Sequence, residues 1–395
     1  MKEISSKVAK KLEKFFDAAQ QEVEKRLPDA SKGLSKPKRT LLVSIVISML
    51  LTKSVVYDEL AEQMNDEVEL ASNVRRLQRF IAEYDLNYDQ IAILTSFLLP
   101  KGKWELSMDR TNWKYGSASL NILAVTVWVK GVGVPIWFEL LDNKGGNSNQ
   151  AKRIDFLEKL ISLFGVKKIK CLYGDREFIG EKWIGYLKKN NIPFCLRIKS
   201  DTIIRFAGQS RGRAAHKWLY KKRVRYMPHV EVYGVKGLHL IAKGLSTLKK
   251  NGQPEELLLL TNIKANKTVM DSYKRRWSIE VFFQCIKSRG FNLEKTHLTD
   301  PERFRKIFAA VCLAFVCCFC TGVYKDAKIK KISLCKHGYK RKSFFRYGLD
   351  ELRRLLRLAS RGKEQPLEEF LDLLCARVIR LPDQQEQPAI LAQAG

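Results

Sequence analysis

Three acidic residues, two after strand-like runs and one on a helix, carry the chemistry this sequence could perform. In Trp104–Asp109 the apolar Trp104, Leu106 and Met108 alternate with Glu105, Ser107 and Asp109, so a strand here turns Asp109 onto its polar face. Asp175 follows the apolar run Lys168–Tyr173, with Gly174 allowing a tight exit. An aspartate after a strand is usually a turn former, so neither residue alone identifies a site. The third acid is Glu280. At ~100° per residue Tyr273, Arg276, Glu280, Gln284 and Lys287 fall in a stripe roughly 80° wide, while Ile279, Phe282, Cys285 and Ile286 point away. Alone this is an amphipathic surface helix. Beside two aspartates, it offers an acid flanked by two cations and a phenol.

Mg²⁺ prefers oxygen ligands and keeps much of its water, so Asp109, Asp175 and Glu280 together with substrate phosphate oxygens suit it, with Mn²⁺ as substitute. Two such ions about 4 Å apart activate an attacking hydroxyl or water and stabilise the leaving oxygen at phosphorus. Arg276 and Lys287 would grip the strand being cut. None of the five histidines has ligand spacing, and there is no Gly-rich phosphate loop. Phosphoryl transfer without a nucleotide cofactor is therefore expected.

The chain that must position these groups has 395 residues, with 72 Lys and Arg against 42 Asp and Glu, a net charge of +30. Such an excess stores self-repulsion that a polyanion relieves, which makes nucleic acid the first partner class and an anionic membrane surface the second. With 45% apolar and 10% aromatic residues, the chain can bury a core, which excludes wholesale disorder, collagen and a coiled coil. The length predicts two or three domains. Nine cysteines lack the paired spacing of a disulfide scaffold or zinc module; Cys317 and Cys320 lie in the apolar stretch Ile307–Val323 and read as small buried hydrophobes. That stretch is shorter than the roughly 20 residues of a membrane span, so a core helix and no membrane are expected. The N-terminus has no apolar secretory segment, which predicts an intracellular, cytoplasmic protein.

Apolar spacing predicts a helix over Lys7–Arg26, a second over Thr40–Thr52 after a polar linker, a third start at Ser54 and another helix opening near Ser72 with Arg75, Arg76 and Arg79 on one edge. These helices form either a helix-turn-helix reader of a DNA groove or a cap with a solvated basic face. After Pro100, Trp104–Asp109, Leu120–Lys130 and Val134–Leu141 read as an antiparallel meander. Helix Gln150–Phe164, strand Lys168–Tyr173 and helix Glu181–Asn190 extend it to a mixed α/β sheet. Leu196–Gln253 holds fourteen Lys and Arg against two acids. There Lys221, Lys222, Arg223 and Arg225 interleave with Trp218, Tyr220 and Tyr226, a nucleic-acid surface or a well-solvated β insertion. One long helix is predicted from about Val269 to Arg289, then a basic helical tail beyond Tyr324 bearing Arg353, Arg354 and Arg357.

The blocks Ser107-Met108-Asp109-Arg110-Thr111-Asn112-Trp113 and Tyr173-Gly174-Asp175-Arg176-Glu177-Phe178, followed by Y-x2-R-x3-E-x6-K at Tyr273, Arg276, Glu280 and Lys287, resemble the DDE transposases of bacterial insertion sequences, specifically the IS-four family. The resemblance runs from about Trp104 to Phe315. It implies an RNase H-like core with a β-rich insertion between the second Asp and the Glu, and 105 residues separate Asp175 from Glu280 here. It further implies that Asp109, Asp175 and Glu280 hold the metals while Tyr273, Arg276 and Lys287 contact DNA phosphates. The family moves DNA by cut-and-paste, often through a hairpin, as a dimer that pairs two transposon ends before joining them to target DNA. Hairpin-forming relatives stack a flipped base on a tryptophan of the insertion, but no Trp lies between Leu219 and Arg276, which leaves Trp218, Tyr226 or Tyr233 for that position.

The expected organisation is an N-terminal helical DNA-binding domain over 1–100, a catalytic core over 101–195 and 256–325, the basic β-rich insertion over 196–255, and a helical region over 326–395. The expected function is a transposase that binds terminal inverted repeats in a prokaryotic, nucleoid-associated setting. A stand-alone nuclease of the same fold and a non-catalytic DNA-binding regulator are the alternatives; three acids facing a polyanion argue against the regulator.

Overall fold

The computed structural model describes residues 6–27, 35–64, 67–115, 118–141, 149–220, 223–248, 254–376 and 381–382. Five helices open the chain: α1 (Ser6–Arg26), α2 (Lys36–Thr52), α3 (Tyr57–Ala61), α4 (Leu70–Glu83) and α5 (Tyr88–Leu98). On α4, Asn73, Leu77, Phe80 and Ile81 are buried, which leaves Arg75, Arg76 and Arg79 exposed on the opposite face. The sequence gives no periodic signal for α5, because this helix buries residues all round, from Ile91 through Thr95 and again at Phe97 and Leu98.

The meander follows as β1 (Trp104–Tyr115), β2 (Ala118–Val129) and β3 (Val132–Leu141), then α6 (Gln150–Phe164), β4 (Ile169–Gly174), α7 (Glu181–Lys189) and β5 (Phe194–Arg197). Next come β6 (Ile203–Phe206), β7 (Arg213–Ala214), β8 (Val224–Val232), β9 (Val235–Leu248) and β10 (Pro254–Thr261). All ten strands form one mixed sheet of order β3-β2-β1-β4-β5-β10-β9-β8-β6-β7. β1 and β2 are antiparallel, β4 and β5 run parallel to β1, and β10 returns antiparallel against β5. The expected α/β architecture is present. The basic segment between Asp175 and Glu280 continues the same sheet through β10, and its start at residue 196 falls inside β5, since a change in charge need not coincide with a strand end.

The helix expected from Val269 to Arg289 is broken into pieces: α8 (Lys267–Ser272), a 3₁₀ turn over Tyr273–Trp277, α9 (Ser278–Gln284) and a π turn over Cys285–Arg289. Helical periodicity in a sequence reports only an average twist and does not reveal such local changes of pitch. α9 lies on β3 at Gly133, where an added Cβ would stand 2.9 Å from the Ser278 carbonyl oxygen. Bare backbone at that position admits the helix.

The chain ends in α10 (Pro301–Lys328), α11 (Phe344–Ala359) and α12 (Gln365–Cys375). α10 is long and apolar enough to cross a bilayer by length and composition, but it is buried along most of its length, from Phe304 to Val323. It packs against α2, α4, α5, α11 and β3, while α1 packs against α5 and α12. One continuous apolar core thus joins the first hundred residues, the sheet and the C-terminal helices. All nine cysteines are free thiols. In α10 burial pushes the Cys317 thiol up to about 11, so it stays neutral inside the bundle.

Candidate active site

Met108 of β1 pairs with Gly174 of β4 in parallel register. The next residue along each is an acid, so Asp109, within β1, and Asp175, just past the end of β4, lie side by side on chains ~4.8 Å apart. Each carboxylate accepts a hydrogen bond from the amide that follows it, Asp109 from Arg110 at 2.8 Å and Asp175 from Arg176 at 2.7 Å. The residues just past these two acids are tied together by a fork. Arg110 Nε and a terminal nitrogen each donate to Glu177 at 2.7 Å, a bidentate geometry that fixes angle as well as distance.

The 3₁₀ turn lies across this edge. With about three residues per turn, Tyr273 and Arg276 line up on one side, and both are buried against the sheet. The Tyr273 hydroxyl donates to the Gly174 carbonyl at 3.2 Å, and burial holds its phenol well above the ordinary value. It acts as a donor. Arg276 reaches two acids at once, Glu280 Oε1 at 2.7 Å and Asp109 Oδ2 at 3.5 Å. Its neighbour Trp277 is 43% exposed. Lys287, on the π turn, donates to the Asn112 carbonyl at 3.3 Å and sits 4.5 Å from the Trp113 ring. The structure therefore brings Asp109, Arg276 and Glu280 into direct contact, sets Asp175 and Tyr273 beside them, and lays Lys287 over β1 three residues further along.

Beneath the turn lies a group that sequence reasoning did not assign. Glu105 and Ser107 share the β1 face with Asp109, but this face is covered, and Glu105 is 2% exposed. Its carboxylate is held by Arg275, by the Tyr173 hydroxyl at 2.9 Å and by Lys170 at 3.9 Å. The Arg275 guanidinium also lies 4.3 Å from the Trp128 ring, and its carbonyl accepts from Ser107 at 3.2 Å. The available signal was the alternation Glu105, Ser107, Asp109 opposite two successive arginines in the helix motif. The missing information was that 170 residues of chain fold back to make the pair.

Burial pushes Asp109 up to about 7; Arg276 and the Arg110 amide oppose that shift, while Glu177 and Glu280 add to it. A folded value above the unfolded ~3.9 means that protonated Asp109 stabilises the fold. That contribution is complete below about pH 4 and is lost as pH rises through about 7. Metal-free protein is therefore expected to lose thermal stability over this window more steeply than an Asp109→Asn variant. Parallel Tm-against-pH curves for the two proteins would contradict this.

The donors at this edge are carboxylate oxygens, the chemistry that Mg²⁺ or Mn²⁺ takes. Among the described residues no three such side chains converge on one point. Between Asp109 and Glu280 stands the Arg276 guanidinium, in contact with both carboxylates. A polar cleft of about 820 Å³, lined in part by Arg153, Arg176, Glu177, Lys199, Arg205 and Tyr233, opens beside Asp175.

The other sequence-selected cations lie elsewhere. Arg223 and Arg225 are exposed on the strand edge, Arg223 near the Tyr220 ring and Arg225 near the Trp218 carbonyl. Arg75, Arg76 and Arg79 project from α4. Among the described residues none of the five is hydrogen-bonded to the three acids. Lys221 and Lys222 lie outside the described residues. Trp218 is committed to an edge contact with Phe206, ring centroids 4.6 Å apart, whereas Tyr226 and Tyr233 are 38% and 36% exposed.

Residues 95–317 match the family described as "Transposase DDE domain". Among solved structures, one described as "Cryo-EM structure of piggyBac transposase synaptic complex with hairpin DNA" is similar over 96% of this chain and 84% of that one, at 10% identity and a TM-score of 0.43. No curated protein matches the sequence.

Proposed function

The chain belongs to the transposase DDE domain family and is a DNA transposase, and from that premise we propose a cut-and-paste enzyme of the IS-four type. It binds the terminal inverted repeats of its own element, cleaves at the ends and joins the 3′ ends to target DNA, working as a homodimer on paired ends in a prokaryotic cytoplasm. The strand order β3-β2-β1-β4-β5, with β1, β4 and β5 parallel, supports an RNase H-like core. The observation that carries the reading is the placement of Asp109 on β1 beside Asp175 at the end of β4, with Arg276 linking Asp109 to Glu280.

Asp109, Asp175 and Glu280 would hold Mg²⁺ or Mn²⁺, which when bound supplies charge for an in-line displacement at phosphorus. Arg276 holds the Asp109 and Glu280 carboxylates together. Tyr273 and the Arg110–Glu177 fork hold the end of β4 in place against β1. Lys287 lies along β1 where a phosphate could replace the Asn112 carbonyl as its partner. Hairpin formation would draw on Tyr226 or Tyr233 for base stacking, or on the exposed Trp277, rather than on the packed Trp218.

The test is incubation of the protein and Mg²⁺ with linear DNA carrying the element's two ends and a supercoiled target plasmid. Covalent end-to-target products are expected. Cleavage without joined products would reduce the protein to a nuclease, and binding without cleavage would make it a regulator.

A further inference from the structure

We propose that α11 carries a second DNA contact, a row of arginines that grips the phosphate backbone of duplex DNA away from the reacting acids. This inference rests on the reading of the chain as a DNA transposase. Arg346, Arg353 and Arg357 fall on one side of the helix, at separations of seven and four residues, and Arg361 follows in the turn just past its end. The helix is firmly seated: Phe345, Leu349, Leu352, Leu355 and Leu356 are buried, and a Cβ on Gly348 would collide with the Cys318 carbonyl of α10. The row runs along the flank of that packing, with Arg353 half-buried. Arg346, Arg357 and Arg361 are exposed.

Most of the row is without an acid of its own. Asp350, its one acid, is taken by Lys342 at 2.7 Å and by Arg346 at 3.0 Å. The neighbouring Arg354 is paired with Glu351 at 2.6 Å. Among the described residues Arg353, Arg357 and Arg361 have no ion-pair partner, and Arg353 Nε is a buried donor without an acceptor. Burial, followed by the nearby charges of Arg357 and Arg346, lowers the pKa of Arg353. Like charges four residues apart weaken a helix, so an isolated chain gains nothing from this arrangement, whereas a polyanion relieves it.

The geometry points to backbone contact. The cleft around these side chains holds about 310 Å³ and is lined by Asp350, Arg353, Arg354, Arg357, Leu358 and Arg361. It offers no aromatic face on which a base could stack, in contrast to a single-strand groove. From Arg346 to Arg357 the row spans about 17 Å, the rise of some five base pairs at ~3.4 Å each. Guanidinium groups fork onto phosphate oxygens without reading sequence.

The test measures affinity of the full chain for a random-sequence duplex across a salt series. Replacing Arg353, Arg357 and Arg361 together by Gln is expected to reduce the slope of log affinity against log salt by about 2–3, near 0.9 per lost phosphate contact. Arg357→Glu, a single change at an exposed position, is expected to weaken binding roughly tenfold with the fold intact. An unchanged slope in protein that still binds duplex and cuts its ends would overturn the row while leaving the transposase reading in place. Wild-type protein that binds no duplex would remove both. Loss of poly-glutamate binding with an unmoved duplex slope would assign the row to an acidic protein, and also overturn it.

Discussion

Alanine at Asp109, Asp175 or Glu280 is expected to lower DNA cleavage by roughly 10³-fold or more, with duplex affinity held or increased. The two effects separate because the acids and the DNA repel each other. Removing a carboxylate from a chain of net charge +30 cannot weaken its attraction for phosphate, and the number of cations meeting the backbone, which sets the salt slope, does not change. The three acids are expected to behave as one unit. Asp109→Ala combined with Glu280→Ala should cut no worse than either alone, as for groups that hold a single catalytic constellation. Arg276→Ala is different: it frees Asp109 and Glu280 from the cation that now bridges them and leaves Asp109 harder to ionise. Quantitative cleavage of an end-bearing duplex at saturating enzyme, with binding followed by anisotropy, checks all of these. Near wild-type cutting by any one of the three alanine variants would remove that residue from the site.

Much of this arrangement could be read from the residues, and the parts that could not have a common cause. Alternation in β1 placed Asp109 on the same face as Glu105 and Ser107, and the helical stripe separated Glu280 from the buried Ile279, Phe282 and Ile286. Both are local patterns with a fixed period. The alternation does not tell which face is solvated, and the polar face of β1 is in fact covered by the 3₁₀ turn. Likewise, the arginine of the helix motif was expected to point outward to DNA, but in the structure it spans two carboxylates. Arg276 lies buried beside Tyr273 in the 3₁₀ turn. The Arg110–Glu177 fork was present in both quoted blocks, one residue after the first aspartate and two after the second. Its pairing depends on the β1–β4 register, which is a tertiary fact. The N-terminal helices show the same limit: their individual spans were largely legible, but their packing against α10 and α12 joins residues some 300 positions apart.

Arg275→Ala is the change expected to damage the fold and the site together. It removes the main partner of a carboxylate whose side chain is 3% exposed, leaving Glu105 with the Tyr173 hydroxyl and a 3.9 Å approach from Lys170. Stranding one member of a buried ion pair costs about 3–5 kcal/mol, and the lost stacking on Trp128 adds about 1–2 kcal/mol. Taking away both charges is gentler, because the desolvation cost of Glu105 goes with its attraction. The double variant Glu105→Gln with Arg275→Met is thus expected to recover most of the lost Tm. Its cleavage should remain low, since the pair does more than stabilise: Arg275 immediately precedes Arg276 in the turn that leads into α9 and Glu280, and Ser107 anchors the same residue through its carbonyl. A slack turn moves Glu280 away from Asp109 while the rest of the sheet stays folded. Denaturant unfolding of the two single variants and the double yields the coupling energy, and cleavage of the double yields the positional effect. Unchanged stability in Arg275→Ala would show that the buried pair is not formed. Full cleavage in the stable double variant would show that it is formed but does not aim the acid.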